Sequence, residues 1–506
     1  MKEAVETAKL RLFLKLVAQT DDFEHVEPLP DIDFNIRCGN TLVGFATEKE
    51  LQKGLTWTLD GPTARPLIEE SCETVAKAFS LYKQIQLTQN DDYQEFCEAK
   101  KELNNRLKIL NERLNKLLKL QTSELKFDKW LITYQPFHWF AEFYEIVHDN
   151  KGFDIVIGNP PYVGYSEKNF DYKISNYETL ECKDLYAYVI ERTSKIVNGN
   201  GSIGMIVPIS IVSTDGFDSL RSILQKSMDG IWFSSYSMRP AKLFEGVEKH
   251  ITIFISNKLK QKNNYSTRYH RWYSEERENL FSKLMYTKFD HSICHNKSFP
   301  KIGSQIEFNI LTKIKSNKSI SNNILTFSSH VVYHTRKLRY FLQFLDTSPK
   351  IFEQDGESRV TSELKEVYFE TEEAKFTALS IYLSSLFFWY YAIYSDCRNL
   401  NKREVTTFPL SLSTIKAKSM SALSLKGNKI MEDLQKNSFF QDANYKQYGK
   451  LKMQVFQPRL SKPIIDDIDT ILADHYGFTS EELDFIINYD IKYRMGKELD
   501  NGEEEE

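Results

Sequence analysis

The chain has 506 residues, of which 41% are hydrophobic and 27% are charged, and its formal net charge is −4. This length exceeds one hydrophobic core, so we expect two to four domains, and the near balance of charge excludes a global basic field that attracts nucleic acid. The six cysteines include no C-x-x-C pair, which excludes the usual zinc patterns and indicates free thiols in a reducing cytoplasm.

The N-terminal part of the sequence predicts mainly helices. Residues 2–18 have apolar side chains at helical spacing, whereas residues 33–40 predict a short strand that ends at a Gly-Asn turn. Residues 64–121 predict a helical hairpin, because apolar residues alternate by three and four along both arms. We expect an insertion whose arms bury each other; a dimerising coiled coil is the alternative.

The most informative feature is an apolar run, residues 153–157, that stops at Gly158, Asn159, Pro160, Pro161 and Tyr162. The run predicts a buried strand, and two successive prolines force the chain to turn at its carboxyl end, where open α/β sheets bind ligands. An amide oxygen, a proline carbonyl and an aromatic ring together suit a planar amine, because they offer two acceptors and a stacking surface.

Further alternation of strands and helices follows this turn. We predict helices at residues 184–197 and 214–228, and the predicted strands are 202–207, 231–237 and 251–256. This order indicates an α/β fold with a doubly wound sheet.

The second half of the chain differs in charge. Residues 257–341 hold 16 Lys and Arg against 5 Asp and Glu, whereas residues 455–506 hold 5 against 14. We therefore place a second domain at residues 257–419 and a helical C-terminal region with an acidic tail at residues 420–506. Residues 376–394 carry no charge over nearly the length of a membrane span. Their Ser, Thr and Tyr content favours a buried helix, and we expect no membrane association.

Asn159 to Tyr162 after an apolar strand resembles the catalytic motif of amino-methyltransferases that use S-adenosylmethionine, including enzymes that methylate N6 of adenine in DNA. The resemblance implies that Asn159 and the carbonyl of Pro160 accept hydrogen bonds from the amine, with no general base required. It implies that Tyr162 stacks on a base flipped out of the duplex. The fold it implies is a partial Rossmann-like class I methyltransferase sheet over residues 1–256, with residues 64–121 inserted.

Other segments resemble large adenine-specific DNA methyltransferases of restriction–modification systems, in which methylase and target-recognition domain are fused. Residues 35–44 resemble a cofactor motif, which implies that Gly39, Asn40 and Gly158 contact S-adenosylmethionine. Residues 243–247 resemble the loop that completes the base pocket, which makes Phe244 a candidate stacking residue. Residues 395–409 resemble a mixed α/β target-recognition domain.

Two basic clusters are the candidate contacts to double-stranded DNA. The alternative for each is a solvated charged surface, but the resemblance favours contact with phosphates and guanine edges. The candidate residues are Arg336, Lys337, Arg339, Arg398, Lys402 and Arg403.

One part of the resemblance is missing from the sequence. Class I methyltransferases hold the methionine end of the methyl donor on a glycine-rich loop that follows the first strand and opens a helix. We expect this motif before residue 1, supplied by an N-terminal partner polypeptide. Two alternatives to a DNA adenine methyltransferase remain: an inactive fragment that serves as a DNA-binding specificity subunit, and a protein-glutamine methyltransferase.

Overall fold

The computed structural model describes most of the chain, namely residues 2–19, 32–56, 61–87, 93–122, 125–258, 262–295, 297–337, 341–359, 364–445 and 448–495. The chain divides into two compact units. The first contains Met1–Val207, Ser219–Ile231 and Phe254–Lys262, and the second contains Pro208–Asp218, Trp232–Ile253 and Asn263–Glu506. Between residues 207 and 263 the chain passes back and forth between the two units. The prediction differs, because it divides the chain at residues 257 and 420 into domains that are each one continuous stretch.

Helices occur throughout both units. They are α1 (Lys2–Val17), α2 (Glu48–Thr56), α3 (Gly61–Leu87), α4 (Tyr93–Thr122), α5 (Phe127–Tyr134), α6 (Trp139–Glu142), α7 (Tyr144–His148), α8 (Leu185–Ile196), α9 (Ser210–Ser213), α10 (Asp218–Ser227), α11 (Gln305–Lys315), α12 (Glu372–Leu383), α13 (Ser385–Tyr394), α14 (Lys402–Thr407), α15 (Ala417–Lys436), α16 (Lys462–Tyr476), α17 (Ser480–Ile487) and α18 (Ile491–Arg494).

The strands form three sheets. They are β1 (Phe153–Gly158), β2 (Val197–Pro208), β3 (Gly230–Tyr236), β4 (Ile251–Asn257), β5 (Asn263–His270), β6 (Thr287–Phe289), β7 (His330–Thr335), β8 (Phe344–Leu345), β9 (Ile351–Phe352), β10 (Leu364–Phe369), β11 (Phe439–Tyr445) and β12 (Gly449–Val455). The largest sheet has the order β1-β2-β4-β3-β5-β6, and the smaller sheets have the orders β10-β7-β8 and β11-β12-β9.

The largest sheet mixes strand directions. β1 runs parallel to β2, with Gly158 opposite Met205, whereas β5 and β6 are antiparallel. The helix α8 connects β1 to β2 in the manner of a β-α-β unit. The prediction of a mixed α/β chain that continues into a largely helical C-terminal region is therefore confirmed.

The helical hairpin is formed by α3 and α4. Its seam consists of leucines at heptad-like spacing on α4, all nearly inaccessible to solvent, and these are Leu103, Leu107, Leu110, Leu114 and Leu117. They share one core cluster with Ile68, Cys72 and Val75 of α3. The two arms therefore bury each other within one chain, as the insertion hypothesis predicts.

The strand predicted at residues 33–40 is wrong. This segment consists of turns, because the amide of Asn35 bonds back to the carbonyl of Ile32 at 3.0 Å. Phe34 packs instead into the core of the helical hairpin, with its ring centroid 4.9 Å from that of Tyr82. Only Asn40 makes a bridge, to Pro136. Burial of one aromatic ring prevails over the local strand pattern.

The apolar segment at residues 376–394 is two helices rather than one. α12 and α13 meet at Ser384, whose hydroxyl caps α13, and nearly every side chain of the pair is buried. Within the described ranges no single helix is long and apolar enough to cross a membrane, and this pair meets that test only jointly, with a bend of 62°.

Candidate active site

The predicted catalytic turn follows the carboxyl end of β1. Asn159 and Pro161 are exposed, Pro160 is buried, and Tyr162 is half-buried. Because β1 is parallel to β2, the same edge of the sheet also carries Ile206, near the end of β2. The turn is thus anchored by a buried proline, and its amide side chain faces solvent.

Tyr162 fixes the amide of Asn159. Its hydroxyl lies 2.6 Å from Oδ1 of Asn159, to which it donates, and 3.0 Å from the carbonyl oxygen of Ile206. Burial raises the pKa of Tyr162 to about 12, so the hydroxyl keeps its proton at neutral pH. A carboxamide oxygen has two lone pairs, and one of them stays open for a further donor.

A pocket of about 430 Å³ lies beside this turn, in the first unit. Its wall includes the predicted cofactor residues Gly39 and Asn40 together with Pro161 of the turn. The remaining lining residues are Thr41, Leu42, Thr133, Tyr134, Gln135, Tyr172, Leu185 and Val189. The wall combines apolar surface with amide and hydroxyl groups, which suits a flat heterocycle such as adenine.

Asn40 is partly committed within the protein. Its Oδ1 accepts from the amide of Leu42 at 3.2 Å, and its side chain is hydrogen-bonded to Tyr172. Burial raises the pKa of Tyr172, and the bond from Asn40 opposes that rise. Asn40 therefore shapes the wall of the pocket. Gly158, the third predicted cofactor residue, is the exposed last residue of β1, and it is not among the lining residues.

A buried arginine that the sequence reading missed holds the backbone of the pocket wall. Arg192 of α8 donates to the carbonyl oxygens of Leu42 and Gly44, each at 3.3 Å, and to Glu50 at 2.7 Å. Tyr177 donates to the carbonyl of Leu42 at 2.9 Å. The available signal was an arginine among the apolar positions of a predicted core helix.

Gly44 marks a close approach in the same wall. It has φ +133°, and a Cβ at this position would lie 2.1 Å from the carbonyl oxygen of Phe137. The amide of Phe137 donates to Val43 at 2.7 Å, so the two segments are joined at this point. Only glycine fits here.

Phe244, the candidate stacking residue of the second unit, is 36% exposed. It lies beside the buried Leu243, whose carbonyl accepts from Arg277 at 2.9 Å. The salt bridge between Lys242 and Glu248 closes the same loop. The loop thus has one partly exposed aromatic ring, and the hydrogen bond from Arg277 and the salt bridge between Lys242 and Glu248 hold its backbone in place.

The fold brings the two predicted basic clusters together. Lys337 forms a bridge with Asn399, and the amide of Leu400 donates to the carbonyl of Arg336 at 2.7 Å. Arg336, Lys337, Arg398 and Lys402 are all exposed. We call these four side chains the basic patch. The clusters are about sixty residues apart in sequence and form one surface in the second unit.

The other two basic candidates differ from the patch. Arg339 lies outside the described residues. Arg403 is used internally: it forms an ion pair with Asp215 and another with Glu404, at 2.6 Å for the latter, and it donates to the carbonyls of Ser213 and Tyr394. Its side chain is only 13% exposed. We therefore assign Arg403 to the structure of the second unit and leave it out of the DNA contacts proposed below.

The chain is similar in sequence to known proteins. Residues 1–236 match the model of the Eco57I restriction-modification methylase family. A protein of Methanocaldococcus jannaschii named as a type II restriction enzyme and methyltransferase is 26% identical over 272 residues, which are 44% of this chain and 22% of that protein. The chain thus spans less than a quarter of this relative.

Similar solved structures include a restriction–modification enzyme and a restriction endonuclease. The type IIL enzyme MmeI in complex with DNA is 12% identical, with a TM-score of 0.36, over 79% of this chain and 65% of that chain. The type IIG endonuclease BpuSI is 12% identical, with a TM-score of 0.24, over 68% of this chain and 54% of that chain. The resemblance noted in the sequence is confirmed by the family model: residues 1–236, just under half of the chain, are similar to the Eco57I restriction-modification methylases.

Proposed function

We propose that this chain is the catalytic and target-recognition part of a DNA adenine-N6 methyltransferase in a restriction–modification or phage-defence system. The observation that carries the proposal is the pair formed by Asn159 and Tyr162 at the end of a parallel strand. The family match of residues 1–236 supports the reaction class. The cytoplasm is the proposed location, because such an enzyme meets its DNA substrate there.

The proposed chemistry relies on positioning. The amine of a flipped adenine donates one N–H to Oδ1 of Asn159 and the other to the carbonyl of Pro160, while the ring stacks on Tyr162. Tyr162 restrains the rotation of the amide, so the acceptor is oriented before the base arrives. These contacts localise the nitrogen lone pair and offset the positive charge that grows on the nitrogen.

The pocket at Asn40 fits one end of the methyl donor. S-adenosylmethionine supplies an activated methyl group when bound, and its adenine is a planar group of the kind that this wall accepts. Among the described residues the pocket lining includes no carboxylate that could hold a ribose, and the one G-x-G of the sequence, at residues 199–201, lies within β2 rather than between a strand and a helix. We therefore propose that Gly39 and Asn40 hold the adenine end and that other residues hold the methionine end.

We propose that a further polypeptide segment supplies those residues. β1 is an end strand of the largest sheet among the described residues, and Ile155 and Ile157 on it are 69% and 79% exposed. An edge strand with unpaired backbone groups and solvent-exposed isoleucines is prone to aggregation unless another strand pairs with it. A segment that bears the glycine-rich loop and pairs with β1 completes a Rossmann-like sheet.

Double-stranded DNA is the proposed substrate of the second unit. The basic patch offers two arginines and two lysines to phosphates, and arginine also suits the edge of guanine. Phe244 of this unit is the proposed second stacking residue for the flipped base.

The test is transfer of a labelled methyl group from S-adenosylmethionine to unmethylated DNA by the purified chain, alone and with the polypeptide encoded next to it. Asn159→Ala should lower transfer by at least about 100-fold, because an oriented acceptor for developing charge is lost, and should leave DNA binding unchanged. Arg398→Glu with Lys402→Glu should instead weaken DNA binding and flatten its salt dependence.

Two results decide against the proposal. Methyl transfer that persists in the Asn159→Ala variant would contradict the assignment of Asn159 as a catalytic residue. DNA binding without transfer under every condition, including the added polypeptide, favours a DNA-binding specificity subunit.

A further inference from the structure

A two-stranded ribbon, β11 with β12, interrupts the helical C-terminal region that the sequence predicts. Its strands pair over their full length, from Phe439 opposite Val455 to Tyr445 opposite Gly449. β9 pairs with only two residues of the ribbon, Lys452 and Met453. We call β11 and β12 together the ribbon.

The ribbon is largely exposed. Of the residues in its two strands, only Leu451 is buried. Phe439, Phe440 and Tyr445 each keep 43% of their surface accessible. Exposed aromatic side chains on a strand pair are unusual unless a partner covers them.

One face of the ribbon carries an open set of polar groups. Successive side chains of a strand point to opposite faces, so the cross-strand pairs Asp442–Lys452 and Asn444–Lys450 share a face with Phe440. All five residues are exposed, and Nζ of Lys452 lies 5.6 Å from the ring centroid of Phe440.

Side-chain contacts already occupy one end of this face. Gln454, opposite Phe440, is hydrogen-bonded to Gln435 and Ser438 at 2.9 Å each, and the ring centroid of Phe440 lies 5.8 Å from that of Phe352. The open part of the face is therefore the end with Lys450, Lys452 and Asn444.

Charge selects the class of partner. Residues 439–455 contain three lysines and one aspartate, although the chain as a whole is acidic. The open face combines ammonium groups for phosphates, an amide that can pair with a base edge, and an aromatic ring. A polyanion with an accessible groove matches this set.

The dimensions agree with duplex DNA. A two-stranded β-ribbon fits the major groove, which is about 12 Å wide. Seven residues at about 3.4 Å each extend roughly 24 Å, close to the length of seven base pairs.

The ribbon is also joined to the basic patch by a short run of chain. Arg336 and Lys337 directly follow β7, which pairs with β8. β9 begins six residues after β8 ends, and it pairs with β12 of the ribbon. The sheet that supports the patch and the sheet that contains the ribbon thus share one connection within the second unit.

We propose that the ribbon enters the major groove of the target DNA, with Lys450 and Lys452 on phosphates and Asn444 towards the bases. The inference rests on the proposed function and adds a recognition element to it. It concerns residues that the sequence reading placed in a helical tail.

The test is the charge reversal Lys450→Glu with Lys452→Glu. A matched control is Lys418→Glu with Lys429→Glu, which makes the same change of charge at exposed positions of α15 in the same unit. Binding is measured by fluorescence anisotropy on a labelled 40-base-pair duplex over a range of salt concentrations. If the charge-reversal variant unfolds at a lower temperature than the wild type, the neutral double variant Lys450→Gln with Lys452→Gln replaces it in the binding measurement.

Loss of two phosphate contacts should reduce the magnitude of the slope of log K against log salt concentration by about 1.8. At 0.1 M salt this corresponds to DNA binding that is weaker by about 60-fold. The control should bind as the wild type does. Methyl green, which occupies the major groove, should compete less strongly against the ribbon variant than against the wild type.

Three outcomes overturn the inference. Unchanged binding by both ribbon variants shows that the ribbon does not contact DNA, although the proposed function survives. Equal losses in ribbon variant and control indicate a general electrostatic effect. A wild-type chain that binds no DNA removes the proposed function and the ribbon inference with it.

Discussion

Tyr162→Phe separates the two roles that we propose for this side chain, orientation of Asn159 and stacking on the flipped base. The change removes the hydroxyl that donates to Asn159 at 2.6 Å and lies 3.0 Å from the carbonyl of Ile206, but it keeps the ring. A reading of the sequence alone, in which Tyr162 only stacks, predicts that phenylalanine is tolerated. The hydrogen bond to Asn159 changes that expectation.

The size of the effect follows from the net value of a hydrogen bond. One such bond contributes about 0.5 to 1.5 kcal/mol, and each 1.36 kcal/mol is tenfold in rate, so transfer should slow by about 2- to 13-fold. Tyr162→Ala also removes stacking, which is worth about 1 to 3 kcal/mol, and should slow transfer by a further factor of roughly 5 to 160.

The pH dependence offers an independent check. Because burial raises the pKa of Tyr162 to about 12, the hydroxyl is protonated throughout the neutral range. The ratio of the wild-type rate to the Tyr162→Phe rate should therefore be the same at mildly acidic and mildly alkaline pH. A ratio that grows with pH would show that the tyrosine acts through its ionised form.

The assay is single-turnover methyl transfer at saturating DNA, with DNA affinity measured separately. Fluorescence of 2-aminopurine at the target position reports base flipping without any need for transfer. Equal rates for Tyr162→Phe and wild type would refute the orienting role of the hydroxyl. Equal rates for Tyr162→Phe and Tyr162→Ala would refute stacking.

Two further predictions concern stability. Arg403→Ala should lower the free energy of unfolding by about 3 to 5 kcal/mol, because the buried Glu404 loses its oppositely charged partner and keeps the amide of Asn401, whereas Lys402→Ala should change it little; equal values in urea unfolding would contradict this. His138 is buried, accepts from the amide of Phe45 and is hydrogen-bonded to Asn115, and burial lowers its pKa to about 3. Its contribution to stability is complete above pH 6.5 and is lost as the pH falls, by roughly 3 kcal/mol at pH 4.5. His138→Gln should remove that share of the acid sensitivity, and an unchanged difference between urea unfolding at pH 7 and at pH 4.5 would count against it.

Local patterns were sufficient to predict much of the fold. The boundaries of β1, β3, β4 and α8 lie within a few residues of those expected, because apolar periodicity and the stopping prolines are properties of neighbouring residues. The heptad-like spacing of the leucines also predicted the buried seam of α4. Residues 33–40 and 439–455 were misjudged, because Phe34 packs against a distant helix and the ribbon depends on cross-strand pairing.

The sequence by itself indicated the reaction class that we propose, through Asn159 to Tyr162 after an apolar strand, since these residues are contiguous and their chemistry can be read in order. Tertiary structure alone decided how the side chains are used. It bonded Tyr162 to Asn159, joined Arg336 and Arg398 in one basic patch, and turned Arg403 inward to Glu404. Charge and aromaticity are properties of a residue, whereas exposure and hydrogen-bond partners depend on segments far away in the chain.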